Sequence, residues 1–208
     1  MAQCYACGTT LNRLNSSWEH ILPSAIGGTL KSKRLLCQYC NKKAGNRIDR
    51  VLTGICRPYI AFYKTQPDRR NRPEKIRAIQ ISQPEGSKDK ENLLHAAVLK
   101  IFTNFLMLKW KRADWAAKAA NYWMHPSSVP NGYVQPISLQ DKIADFVPYH
   151  SIELKASAKE QTITGELILF GELGFRVMLC CNYDGADQVI RHFQLLGAPS
   201  APADAESA

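Results

Sequence analysis

The stretch SSWEHILPSAIGG, residues 16–28, decides how this chain is read. Glu19 and His20 stand side by side between Trp18 and the apolar run Ile21-Leu22-Pro23, and Gly27-Gly28 closes the segment. Ionisable groups in apolar company are costly unless they are paired or used, so this pair is a candidate for chemistry. It is framed by two identical spacings, Cys4-x2-Cys7 before it and Cys37-x2-Cys40 after it. Two such knuckles offer four thiolates, which complete the closed tetrahedral shell of a structural zinc. The alternative is four unrelated buried thiols, but these would have no reason to fall in two CxxC pairs around a Gly-rich basic segment. A zinc saturated by cysteines can only be scaffolding, so any reactivity falls to the residues between the knuckles and to Asn41, which directly follows the last of them. The carboxylate of Glu19 and the carboxamide oxygen of Asn41 are hard ligands suited to Mg²⁺ or Mn²⁺, and His20 beside them can remain a free base.

Charge supports a polyanionic partner. The formal net charge of +9 is concentrated: residues 1–75 hold 14 Lys and Arg against 4 Asp and Glu. Neutralising phosphates releases counterions, so such a field favours nucleic acid, with an acidic protein or a merely soluble surface as the alternatives. Lys42, Lys43, Arg47 and Arg50 are the candidate nucleic-acid contacts, with Arg69, Arg70 and Arg72 beyond them; a solvated helix face is the plainer reading. The hydrophobic fraction of 45% and charged fraction of 22% are ordinary for a globular protein. No apolar run approaches the ~18 residues of a membrane helix, and the N-terminus lacks a secretory pattern, so a cytoplasmic protein is expected. Seven cysteines, an odd number, argue against a disulfide framework. Cys56, Cys180 and Cys181 read as packing.

Hydrophobic periodicity gives an α+β chain. Residues 1–55 are too poor in long apolar runs to fold without a metal. Within them SSWEH and SKRLLC read as short strands, and YCNKKAGNRIDRVLTG as a helix stopped by Gly54. Residues 56–75 form a basic helix end and linker, and 75–82 alternate like a strand. Between 91 and 109, Leu94, Val98, Ile101, Phe105 and Leu108 mark a core helix. Asn131-Gly132 is a turn signal. Three antiparallel strands follow at about 150–182, and GADQVIRHFQLL reads as a closing helix. Thus 76–196 is an α+β domain of unassigned role, and 197–208 an expected disordered tail. The aromatics Trp110, Trp115, Tyr122 and Trp123 read as core before base-stacking, and the remaining histidines as packing or surface.

The order CxxC, Glu-His-Ile-Leu-Pro-x-x-x-Gly-Gly, CxxC-Asn-x-x-x-Gly resembles the HNH endonucleases, in the subgroup whose ββα-metal motif is pinned by a four-cysteine zinc. The likeness spans roughly residues 4–50. It implies an N-terminal zinc-stabilised ββα-metal module and an endonuclease that hydrolyses phosphodiester bonds in DNA, RNA being the less favoured substrate. It implies His20 as general base, Glu19 and Asn41 as ligands of a catalytic Mg²⁺ or Mn²⁺, and Cys4, Cys7, Cys37 and Cys40 as ligands of structural zinc. Phage junction-resolving members likewise place the metal-binding Asn directly after the last zinc cysteine. Arg34 stands where the motif's central Asn is usual, and Asn41 replaces its final His, with Asn46 or Asp49 as further contributors. Antiviral or mobile-element contexts are common for the family, and because a small unguided nuclease would endanger its own host, control by a regulatory partner protein, a modified substrate or restricted expression is expected. A non-catalytic zinc-stabilised nucleic-acid-binding or adaptor protein is the alternative on the same residues.

Overall fold

The Glu19-His20 pair is held in a minimal two-stranded ribbon. β1 (Glu19–His20) pairs antiparallel with β2 (Lys31–Ser32), setting Glu19 opposite Ser32 and His20 opposite Lys31. These are features of a computed structural model that describes residues 2–63, 65, 88–111, 113–130, 132–139 and 147–196. The linker with Arg69, Arg70 and Arg72, the strand expected over 75–82, Asn131 and the tail 197–208 lie outside the described residues, as do the side chains of Cys180 and Cys181. Between the strands the chain turns so tightly that a Cβ on Gly28 would lie 2.1 Å from the carbonyl oxygen of Leu22, and Gly27 takes φ 91°. The Gly-Gly pair is therefore a steric requirement of the loop after Glu19 and His20.

SKRLLC is a strand only at its start. Leu35 and Leu36 are buried outside any strand, the Leu35 carbonyl accepting the Tyr5 N–H at 3.2 Å, and Cys37 makes an isolated bridge to Ser16. From there α1 (Gln38–Ala44) runs through a π-helical stretch (Gly45–Asp49) into α2 (Arg50–Phe62). Gly54 does not stop this helix. A glycine costs a helix only about 1 kcal/mol, and the apolar face continues past it through Cys56, Tyr59 and Ile60. Tyr59 and Tyr63 then stack on Phe170, with ring centroids 5.5 and 6.1 Å away.

α3 (Lys88–Trp110) is the central beam. Every residue from Ala96 to Leu106 is buried, so the helix is covered on all sides. By length and composition it is apolar enough to cross a membrane, contrary to the sequence expectation, although 61% of its most apolar window is buried inside the fold. α4 (Ala113–Met124) packs back on it, contributing the buried Trp115 and Trp123, while Trp110 and Tyr122 are partly buried against the same core.

The sheet is antiparallel throughout, in the order β3 (Val134–Ile137), β6 (Leu173–Cys181), β5 (Thr162–Leu169), β4 (Tyr149–Ser157), β7 (Gln188–Leu195). β4 and β5 alternate buried and partly buried positions, the buried set facing the helix. Gly165 marks the closest approach: its Cβ would meet the Phe102 ring at 2.4 Å. The segment GADQVIRHFQLL, read from sequence as a helix, is β7. β4 offers it an open edge along its whole length, from Tyr149 opposite Leu195 to Ala156 opposite Gln188. Its Val, Ile and Phe suit that pleated surface, and pairing overrides the local pattern. One continuous core runs from Cys4, Leu36, Ile48 and Leu52 through α3 to the sheet.

Candidate active site and zinc site

The first knuckle is a tight turn in which the Gly8 N–H donates to the Cys4 carbonyl at 2.7 Å, with Gly8 at φ 76°. In the second, Cys37 caps α1 and Cys40 lies in its first turn. The four sulfurs lie within 4.8 Å of one another, and Cys7 Sγ is 3.8 Å from Cys37 Sγ. Zinc–sulfur bonds of about 2.3 Å in a tetrahedron put sulfurs about 3.8 Å apart, so this set fits zinc. Cys4, Cys37 and Cys40 are buried and Cys7 is the exposed rim. Burial raises the thiols of Cys4 and Cys40. Cys56 is a buried thiol away from this set, as expected of a packing residue.

The knuckles set the next residues against each other. Gln38 N–H donates to the Asn15 carbonyl, and Asn41 Nδ2 donates to Ser17 Oγ at 2.7 Å and to the Trp18 carbonyl at 3.0 Å. Asn41 thus fastens the start of α1 to the strand carrying Glu19 and His20. A cleft of about 350 Å³ opens there, lined by Trp18, Glu19, His20, Asn41, Asp49, Arg50, Arg57 and Lys100.

Glu19 is 2% exposed. Its Oε1 accepts from Lys100 Nζ at 2.6 Å and from Asn104 Nδ2 at 2.7 Å. Lys100 Nζ reaches Asp49 Oδ2 at the same distance of 2.6 Å, and Asn104 Oδ1 accepts from the Tyr5 hydroxyl at 2.6 Å. Burial raises the Glu19 carboxyl, with Lys100 the chief opposing influence, and burial raises the Tyr5 phenol well above its ordinary value. Burial disfavours the Lys100 ammonium, yet Asp49 and Glu19 outweigh it and hold the proton on. Asp49 Oδ1 is buried and has no hydrogen-bond partner among the described residues. An orphaned carboxylate oxygen beside Glu19 and Asn41 suits a hard divalent cation, so the donor set fits Mg²⁺ or Mn²⁺.

Residues 4–54 match the family whose description is HNH endonuclease. This stretch is an HNH module. No curated protein and no solved structure matches the chain significantly. The module explains why the zinc knuckles, the Glu-His pair and the Gly-Gly turn occur in one short segment, and it ends inside α2. The rest of the chain nonetheless reaches into it. His150 of β4 bonds the Ile26 carbonyl at 2.8 Å, and Gln194 of β7 donates to the Gly27 carbonyl at 2.6 Å.

Among the basic residues expected at the site, Arg50 lines the cleft of the HNH module. Lys43 and Arg47 lie on another face, beside Trp123 and Met124, and Lys42 is exposed. Arg34 is exposed, its N–H donating to Ser32 Oγ. Asp49 lines the cleft and the exposed Asn46 does not. Arg57, Lys100 and Asn104 escaped the sequence reading. A signal for two of them was present: Lys100 and Asn104 interrupt the apolar run VLKIFTNF four residues apart, on one face of α3.

Proposed function

We propose that the chain is a divalent-metal-dependent endonuclease that hydrolyses phosphodiester bonds in DNA. The observation that carries this reading is the shared cleft: His20, Glu19 and Asn41 line one concave site together with Arg50 and Arg57. In this reading His20 takes the proton from the attacking water as its oxygen bonds to phosphorus, a general-base contribution of about 10²–10⁴ in rate. Arg50 and Arg57 pair with the phosphate oxygens flanking the scissile bond. Glu19, Asn41 and Asp49 would hold the Mg²⁺ or Mn²⁺, which supplies Lewis-acid polarisation of the phosphate and stabilises the departing alkoxide. Lys42, Lys43 and Arg47 follow the backbone further along, without reading sequence. The four free cysteines of the zinc site suit a reducing compartment, and action in the cytoplasm, in antiviral defence or on mobile DNA under a regulatory partner, belongs to the same reading.

One observation favours the alternative, a zinc-stabilised nucleic-acid-binding or adaptor protein: Glu19 Oε1 already has two donors. Plasmid nicking across a Mg²⁺ and Mn²⁺ series, with DNA binding measured in parallel, separates the two. His20→Ala is expected to abolish nicking while zinc content and DNA binding stay near wild type. Equal nicking by wild type and His20→Ala would refute the assignment of the base, and binding without nicking by wild type in every metal would leave the adaptor reading.

A further inference from the structure

Lys100 is the least expected group in the molecule. It belongs to α3, outside the segment matched by the HNH family, and is 2% exposed between the buried Leu99 and Ile101. Burying an ammonium is expensive, and an apolar residue of similar volume is often at least as stabilising at such a place, so packing gives no reason for a lysine here. What the lysine does have is position. Its Nζ stands 2.6 Å from Glu19 Oε1 and 2.6 Å from Asp49 Oδ2, and it lines the cleft beside His20 and Asn41. A positive charge bridging two carboxylates is what a divalent cation would be at the same place.

We propose that Lys100 sets the cation affinity of the HNH site: its ammonium fills the space between Glu19 and Asp49 and keeps divalent-cation binding weak until a substrate phosphate adds its own charge. With Lys100 in place the cluster of two carboxylates and one ammonium carries a net charge of about −1; without it the carboxylates carry about −2 and no buried ammonium stands between them to repel an incoming cation. The consequence is coupling. A phosphate in the cleft supplies negative charge and oxygen ligands, so cation and nucleic acid bind better together than apart. Lys100 is thereby a positioning residue, acting through Glu19 and Asp49.

The inference rests on reading the cleft as a divalent-cation site. It is tested on the full zinc-loaded chain by titrating Mn²⁺ in the absence of DNA and following free Mn²⁺ by its electron paramagnetic resonance signal. Lys100→Met is compared with wild type and with Asp49→Asn/Lys100→Met, a double variant that keeps the net charge of the wild-type cluster. Lys100→Met is expected to bind Mn²⁺ at least tenfold more tightly than wild type, the double variant more tightly than wild type, and both to lose the gain on adding Glu19→Gln. Adding a short DNA duplex is expected to tighten Mn²⁺ binding in wild type more than in Lys100→Met. Mn²⁺ affinities within threefold of wild type would overturn the inference about Lys100 and leave the cation site standing. No Mn²⁺ bound by any form would overturn the site and the inference together. Failure of both variants to fold at saturating Mn²⁺ would overturn it as well, because Lys100 would then be a structural residue only.

Discussion

Lowering the pH should unfasten the sheet from the HNH module at His150. This residue is fully buried in β4. One ring nitrogen, Nε2, lies 2.8 Å from the Ile26 carbonyl in the loop after His20, and the other, Nδ1, accepts the Phe170 N–H at 3.1 Å. Those partners assign the neutral tautomer with the proton on Nε2. A second proton would sit on Nδ1, facing the Phe170 N–H. Burial, supported by His192 and opposed by the Ile26 carbonyl, pushes the pKa down from 6.5 to about 4. An unfolded imidazole titrates near 6.5. Above that pH both states are neutral and the full stability is present. Between about 6.5 and 4 the unfolded chain takes up a proton that the native chain refuses, so stability falls as pH falls. At about 1.4 kcal/mol per pH unit the loss approaches 3 kcal/mol by pH 4, a sizeable part of the roughly 5–15 kcal/mol that holds an ordinary domain together. Urea unfolding from pH 7.5 to 4.5, on wild type and His150→Gln, measures it. Glutamine keeps a donor and an acceptor without titrating, so its stability is expected to be lower at pH 7.5 but to fall less steeply, and acid effects at the zinc thiols are common to both proteins. Parallel slopes would refute the reasoning.

Other expectations follow from contacts at the site. Cys37→Ser removes one of four zinc ligands and should release the metal, lowering the melting temperature sharply, because structural zinc contributes on the order of 10 kcal/mol to small modules; metal analysis and calorimetry check it, and retained zinc would contradict the assignment. Gly28→Ala forces a Cβ to within 2.1 Å of a backbone oxygen and should cost about 3 kcal/mol or more, read by urea unfolding. Lys42→Glu/Lys43→Glu should weaken DNA binding at low salt and flatten the slope of log Kd against log salt by about 2, without unfolding the chain; an unchanged slope would remove those two residues from the phosphate contacts.

Local chemistry wrote much of this protein into its sequence. The zinc site was legible because CxxC spacing is short-range, and a turn or a first helical turn is enough to converge two thiolates. The Glu19–His20 pair and the core helix around Val98 to Phe105 were legible for the same reason: each depends on neighbours within a few residues. What failed were features whose cause lies elsewhere in the chain. The helix did not stop at Gly54 because Phe170, more than a hundred residues away, offers Tyr59 and Tyr63 a surface. GADQVIRHFQLL became β7 because β4 had an open edge to fill. At the cleft the difference is sharpest. The sequence alone determined that an acid, an imidazole and an Asn would stand near a zinc scaffold. Only the tertiary structure decided that Glu19 would share its charge with Lys100 and Asp49, since a buried carboxylate must be paired and the ammonium that pairs it comes from a helix 81 residues further along the chain.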